Sequence, residues 1–126
     1  MIRDIYPSTI YVKVYPNKFE LKNIDTGKFT SVIAKEPFTT TRLLIGQFNS
    51  AEEALKEGMV EVSKYKLFNP SPLVVMHQLS IFEGGLSQVE ERVLIELALS
   101  VGARKAKAWI GHALSDDEVI EYAKSV

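Results

Sequence analysis

The chain has 126 residues, a net charge of −1, 46% hydrophobic and 25% charged residues, and no cysteine. These figures predict one globular domain over residues 1–126 with a real core, and they exclude disulfides, thiolate chemistry and Cys-based zinc sites. The near-neutral balance gives no general pull toward nucleic acid. The want of a signal peptide, or of an apolar run that could span a bilayer, predicts a cytoplasmic location.

The first third reads as a β-meander. Thr9 to Tyr15 is rich in β-branched and aromatic residues, and Pro16-Asn17 is a turn. Phe19 to Ile24 alternates apolar and polar residues. Asp25-Thr26-Gly27 turns again, and Lys28 to Ala34 is a third strand. Pro37 breaks the pattern, and Arg42 to Ile45 is expected to be a short fourth strand.

The rest of the chain alternates helices and strands. Ser50-Ala51-Glu52-Glu53 has the spacing of a capping box and predicts a helix to about Tyr65, weakened by Gly58. Leu73 to Leu79 begins with a continuous apolar run, which suits a strand buried on both faces. Gly84-Gly85 breaks the chain. A second box, Ser87-Gln88-Val89-Glu90, opens a helix that runs to Val101 and stops at Gly102. Arg104 to Ile110 is the next strand, and strand, helix, strand of this length predicts a parallel pair. Ser115-Asp116-Asp117-Glu118 opens the terminal helix, its acidic first turn placed at the positive end of the helix dipole. The fold class expected is α/β: a mixed sheet, antiparallel at the start, followed by β/α units.

The stretch from Pro70 to Ile110 also carries a resemblance. Pro70-Ser71-Pro72, Ser87-Gln88-Val89-Glu90-Glu91-Arg92 and Gly102-Ala103-Arg104 resemble, in order and spacing, the first domain of MreB, the bacterial rod-shape actin homologue. That family has an apolar strand, a Thr-x-Val-Glu-Arg-Arg helix start, and Gly-Ala-Arg before the next strand. An insertion around Ser80 to Glu83 departs from it. The resemblance implies a ribonuclease H-like core and a link to cell shape or the cytoskeleton.

It also frames the chemistry. Actin-like ATPases hold nucleotide between two domains, each with an Asp-x-Gly phosphate hairpin, and 126 residues leave no room for the second. Where MreB has its water-positioning Glu, this chain reads Trp109-Ile110-Gly111-His112. A lone His after a strand, such as His112, is more often a loop residue than a catalytic one. Asp25, Thr26 and Gly27 resemble the phosphate loop; the same residues make an ordinary hairpin, with Asp bonding the backbone and Gly taking positive φ, and that reading takes precedence. No cofactor is expected, and His77 and His112 are too few for a metal site. Arg104, Lys105 and Lys107 form a basic cluster best read as a solvated rim.

Two features point to recognition. Leu67 and Phe68, flanked by Lys64, Tyr65 and Lys66, are similar to an apolar loop with which MreB proteins touch the inner membrane; the alternative is that they cover a helix end. In the helix from Ser87 to Val101, a core stripe of Leu86, Val89, Val93, Leu97 and Val101 leaves Ile95 and Leu99 on the far side. These positions are usually polar in the resembling family, so the pair is expected either to lie under another helix or to form a self- or partner interface. The sequence therefore suggests a non-enzymatic, degenerate actin-like interaction module. The alternative is a small phosphate- or nucleotide-binding protein that kept one loop.

Overall fold

A computed structural model describes residues 7–40, 43–63, 71–79 and 87–125. Its elements, in chain order, are strands β1 (Thr9–Tyr15), β2 (Lys18–Asn23) and β3 (Phe29–Ile33), helix α1 (Phe48–Val62), strand β4 (Leu73–Gln78), helix α2 (Gln88–Ser100), strand β5 (Lys105–Trp109) and helix α3 (Asp116–Lys124). The strands form one open five-stranded sheet in the order β3-β2-β1-β4-β5. The meander β1-β2-β3 is antiparallel, whereas β1 runs parallel to β4 and β4 parallel to β5. This is the mixed α/β architecture expected from the order of elements.

The period-two alternation of each strand divides the core between the two faces of the sheet. Ile10, Val12, Val14, Phe19, Leu21, Val32, Val74 and Met76 pack with α1 and α2 in the larger cluster. On the reverse face, Tyr11 and Val75 pack against Val119 and Ala123 of α3, with Leu73, Trp109 and Tyr122 around them. Both Ser87 and Ser115 form complete capping boxes: each hydroxyl accepts the amide three residues on, and the Glu there bonds the serine amide in return. Gly102, at φ +110°, ends α2.

Two local expectations fail. Leu43 to Ile45 is an irregular loop rather than a strand; Arg42 lies outside the described residues. The loop is held by bonds from Thr40 N to Leu43 O and from Gly46 N to Phe38 O, and it buries Phe38 and Leu44 over the core. Phe38 stacks on Phe19 with ring centroids 4.9 Å apart. The first helix begins at Phe48, with Gln47 as an N-cap whose side chain makes no capping bond, so Ser50 sits inside the first turn. Packing of Phe48 on the core, and a bond from Gln47 N to Phe38 O, start the helix earlier than the serine signal.

The buried stripe of α2 is also different. It consists of Leu94, Leu97 and Ala98, while Val93 is half-buried and Val89 is 72% exposed. Leu86 lies outside the described residues. Apolar residues occur on every side of this helix, so spacing alone does not set its phase; its seat beside the small residues of β5 does.

Gly58 earns its place in α1 through close approach. A Cβ there would stand 2.5 Å from Leu21 Cδ1 and 3.3 Å from Val32 Cγ2. In an exposed helix, Gly→Ala is stabilising by about 0.5–1 kcal/mol. Here overpacking opposes it and costs about 1–3 kcal/mol, so Gly58→Ala is expected to lower the urea midpoint. A raised midpoint would show that Leu21 yields freely.

Candidate functional site

A buried polar pair lies between the sheet and the β5–α3 connection. Val75 and His77 of β4 point to the same face as Tyr11 and Lys13 of β1, in a parallel register that sets His77 beside Lys13. Tyr11 reaches along the sheet to His77: the rings are nearly parallel, with centroids 5.8 Å apart, and the hydroxyl lies 2.6 Å from Nδ1. Nε2 lies 3.0 Å from the Gly111 carbonyl, and Leu114 N–H donates to the Tyr11 oxygen at 3.1 Å. A carbonyl only accepts, so Nε2 carries a proton; the Tyr11 oxygen already receives Leu114 N–H, and we assign its hydroxyl as the donor to Nδ1, which leaves the imidazole in the neutral form that burial favours. Burial, its largest influence, pushes the His77 pKa down, and also pushes the Tyr11 phenol up. Every polar atom of the pair is engaged inside the protein and His77 is 0% exposed, so the pair offers no face to a substrate. It ties β1 and β4 to the loop that leads into α3.

Around this strut the connection is closely held. Trp109 Nε1 donates to His112 O at 2.9 Å, and its ring meets His112 and Tyr122 edge-on. His112 itself is exposed, with Nε2 3.5 Å from Glu118 Oε2. The Glu118 carboxyl is held below its ordinary value, chiefly by the Ser115 amide of the capping box. Lys105 and Lys107 donate to the Ser125 carbonyl. Among the described residues no group of three or more His, Cys, Asp or Glu could hold a metal ion, and no helix is long and apolar enough to cross a membrane.

The hairpin at Asp25, Thr26 and Gly27 joins β2 to β3. Asn23 organises it: its Oδ1 accepts from Asp25 N and Thr26 N, and its carbonyl accepts from Gly27 N, with Gly27 at φ +78°. Asp25 Oδ2 accepts from Thr9 N at 3.2 Å, at the start of β1. The hairpin thus sits at the amino-terminal ends of the parallel strands, whereas open α/β sheets hold ligands beyond the carboxyl ends. Leu67 and Phe68 lie outside the described residues.

Ile95 and Leu99 lie on the outer side of α2. Leu99 is 44% exposed and Ile95 half-buried; with Val89, Arg92 and Glu96 they line an open depression along the helix. No other described element covers it. Sequence spacing picked out this pair, but not the exposure of Val89, for want of the helix phase. The Tyr11–His77 pair was missed because its members lie 66 residues apart. The one available signal was a His inside an apolar strand.

No protein-family model matches the chain. It is similar to the Escherichia coli (strain K12) protein named Uncharacterized protein YjaA, at 30% identity over 126 residues, covering 93% of this chain and 98% of that protein. At that identity and coverage, the chain belongs to the family of YjaA.

Proposed function

We propose that this chain is a non-enzymatic interaction module, built on a ribonuclease H-like core of the kind found in actin-like domains, and that the outer face of α2 receives another protein. The core assignment is supported by an antiparallel meander whose first strand continues into a parallel pair, with helices on both faces. The observation that carries the function is the α2 face: aliphatic Val89, Ile95 and Leu99 with Arg92 among them. Interface centres are more apolar than the rest of a surface and enriched in arginine, and this face combines the two. Glu91 and Glu96 flank it and leave the face slightly acidic. The partner it suits is an amphipathic segment with an apolar stripe and basic flanks. A non-catalytic role fits the engagement of His77, Tyr11 and Asp25 in bonds that hold the fold.

A photo-crosslinking residue at position 99, against the same residue at exposed position 121 on α3, tests this in cells. Discrete adducts with another protein at 99, none at 121, and their loss on Ile95→Arg are expected. The Ile95→Arg/Leu99→Gln variant is expected to stay folded, with stability changed by less than about 1 kcal/mol. Unfolding of that variant would place the pair in the core, and equal adducts at both positions would end the interface reading.

A further inference from the structure

The structure leaves β3 as an edge strand of unusual character. Its phase is fixed at both ends by bonds from Asn23 N to Lys28 O and from Ala34 N to Asn17 O. Between them, the register places Thr30 opposite Leu21 and Val32 opposite Phe19 as bonded pairs. The N–H and C=O groups of Phe29, Ser31 and Ile33 consequently point away from β2, at an edge with no neighbouring strand among the described residues. The side chains of Phe29 and Ile33 are 60% and 74% exposed. Both stand on the face opposite α1, beside Lys22 and Lys18 of β2. The other edge is different: β5 carries Lys105 and Lys107, and charged residues of that kind discourage strand addition. No charge, proline or bulge interrupts Phe29 to Ile33.

We infer that β3 pairs with β3 of a second copy of this chain, antiparallel about a two-fold axis at Ser31, to make one continuous sheet across the dimer. The strand is complementary to itself in this register. Phe29 meets Ile33 of the second copy, Ser31 meets Ser31, and each such pair brings together backbone groups that point outward on both copies. These pairs exchange hydrogen bonds with each other, while Thr30 and Val32 keep theirs to β2. The apolar side chains form a cluster across the seam, on one face, as directly opposed cross-strand neighbours. The seam itself bears no charge. The lysines at either end of a row, Lys22 on one copy and Lys18 on the other, stand three strand spacings apart, roughly 14 Å. That exceeds the screening length at physiological salt, so they do not oppose the contact. This two-fold closes on itself and leaves α2 of each copy free for the partner proposed above.

Ser31→Pro is a selective test. The Ser31 amide points away from β2, so proline there, carried by both copies, removes both bonds of the Ser31–Ser31 pair and none of the monomer's ladder. Wild type is expected to sediment as a concentration-dependent dimer. Ser31→Pro, and separately Phe29→Lys/Ile33→Lys, are expected to weaken association by about tenfold or more, with unchanged far-ultraviolet circular dichroism. In the wild type, the amides of Phe29, Ser31 and Ile33 are expected to exchange slowly at high concentration and fast at low. A wild type that stays monomeric up to about millimolar concentration would overturn the inference. So would a dimer left intact by both folded variants. A dimer dissolved only by Ile95→Arg/Leu99→Gln would place the seam on α2 instead, and overturn it equally.

Discussion

His77→Ala is expected to destabilise the fold by about 3–5 kcal/mol. The ring is fully buried, so its loss leaves a cavity, and it strands the Tyr11 hydroxyl and the Gly111 carbonyl in the same step. Set against a typical domain stability of about 5–15 kcal/mol, that is a large fraction of the margin. The same site gives a pH dependence whose sign is determined. The folded state holds the His77 pKa below its ordinary value of 6.5. A second proton on Nδ1 would have to point at an oxygen that already receives Leu114 N–H, and Lys13 on the neighbouring strand and the nearby His112 disfavour it further. The contribution of neutral His77 is therefore complete above pH 6.5, and is lost as pH falls from there toward the folded-state value. Urea unfolding at several pH values checks both points. The difference between wild type and His77→Ala is expected to shrink on acidification, and a difference constant with pH would show that His77 titrates equally in both states.

The second large effect is expected at Asn17. It is the non-glycine residue with positive φ among the described residues, at 56°, in the β1–β2 hairpin. Its Oδ1 accepts from both Phe38 N and Thr39 N at 2.8 Å, fastening the loop that carries Phe38 over the core. Asn17→Ala removes both bonds and puts a residue ill-suited to the left-handed region there. A loss of about 2–4 kcal/mol is expected. Asn17→Gly separates the terms: it accepts the backbone angle but still leaves two amides without an acceptor, so about 1–3 kcal/mol should remain. Thermal melts of the two variants give the comparison. A glycine variant as stable as wild type would mean that water replaces the side chain at no cost.

Most of the secondary structure was legible because it rests on local chemistry. The meander follows from alternation and turn residues, and two helix starts follow from serine capping boxes that the structure reproduces atom for atom. What escaped depends on distant partners. The start of α1 is set by Phe48 packing on residues far along the chain. The orientation of α2 is set by β5, because its own apolar residues face all ways. Gly58 reads as a flaw in a helix until Leu21 and Val32 are seen against it. Ile95 and Leu99 were identified as a pair apart from the core stripe, yet the stripe itself was set slightly rotated about the helix axis: Leu97 is in it as expected, but Leu94 and Ala98 are buried where Val89 and Val93 were placed. Tyr11 and His77 each look ordinary on their own strand; their meeting is a property of the parallel register between β1 and β4.

That register has a consequence for how the chain acquires its shape. β1 lies at the middle of the sheet and is flanked by β2, which follows it at once, and by β4, which begins only at Leu73. During synthesis, at about 5–20 residues per second, the meander is exposed for several seconds before its second neighbour emerges. In that interval the newborn sheet has two open edges, β1 and β3, and no α2 or α3 to shield it. Long-range parallel pairing is also the slow kind of closure. The growing chain is thus most open to pairing with its neighbours early in its life, and one of the two edges exposed then, β1, ends with a strand on each side of it.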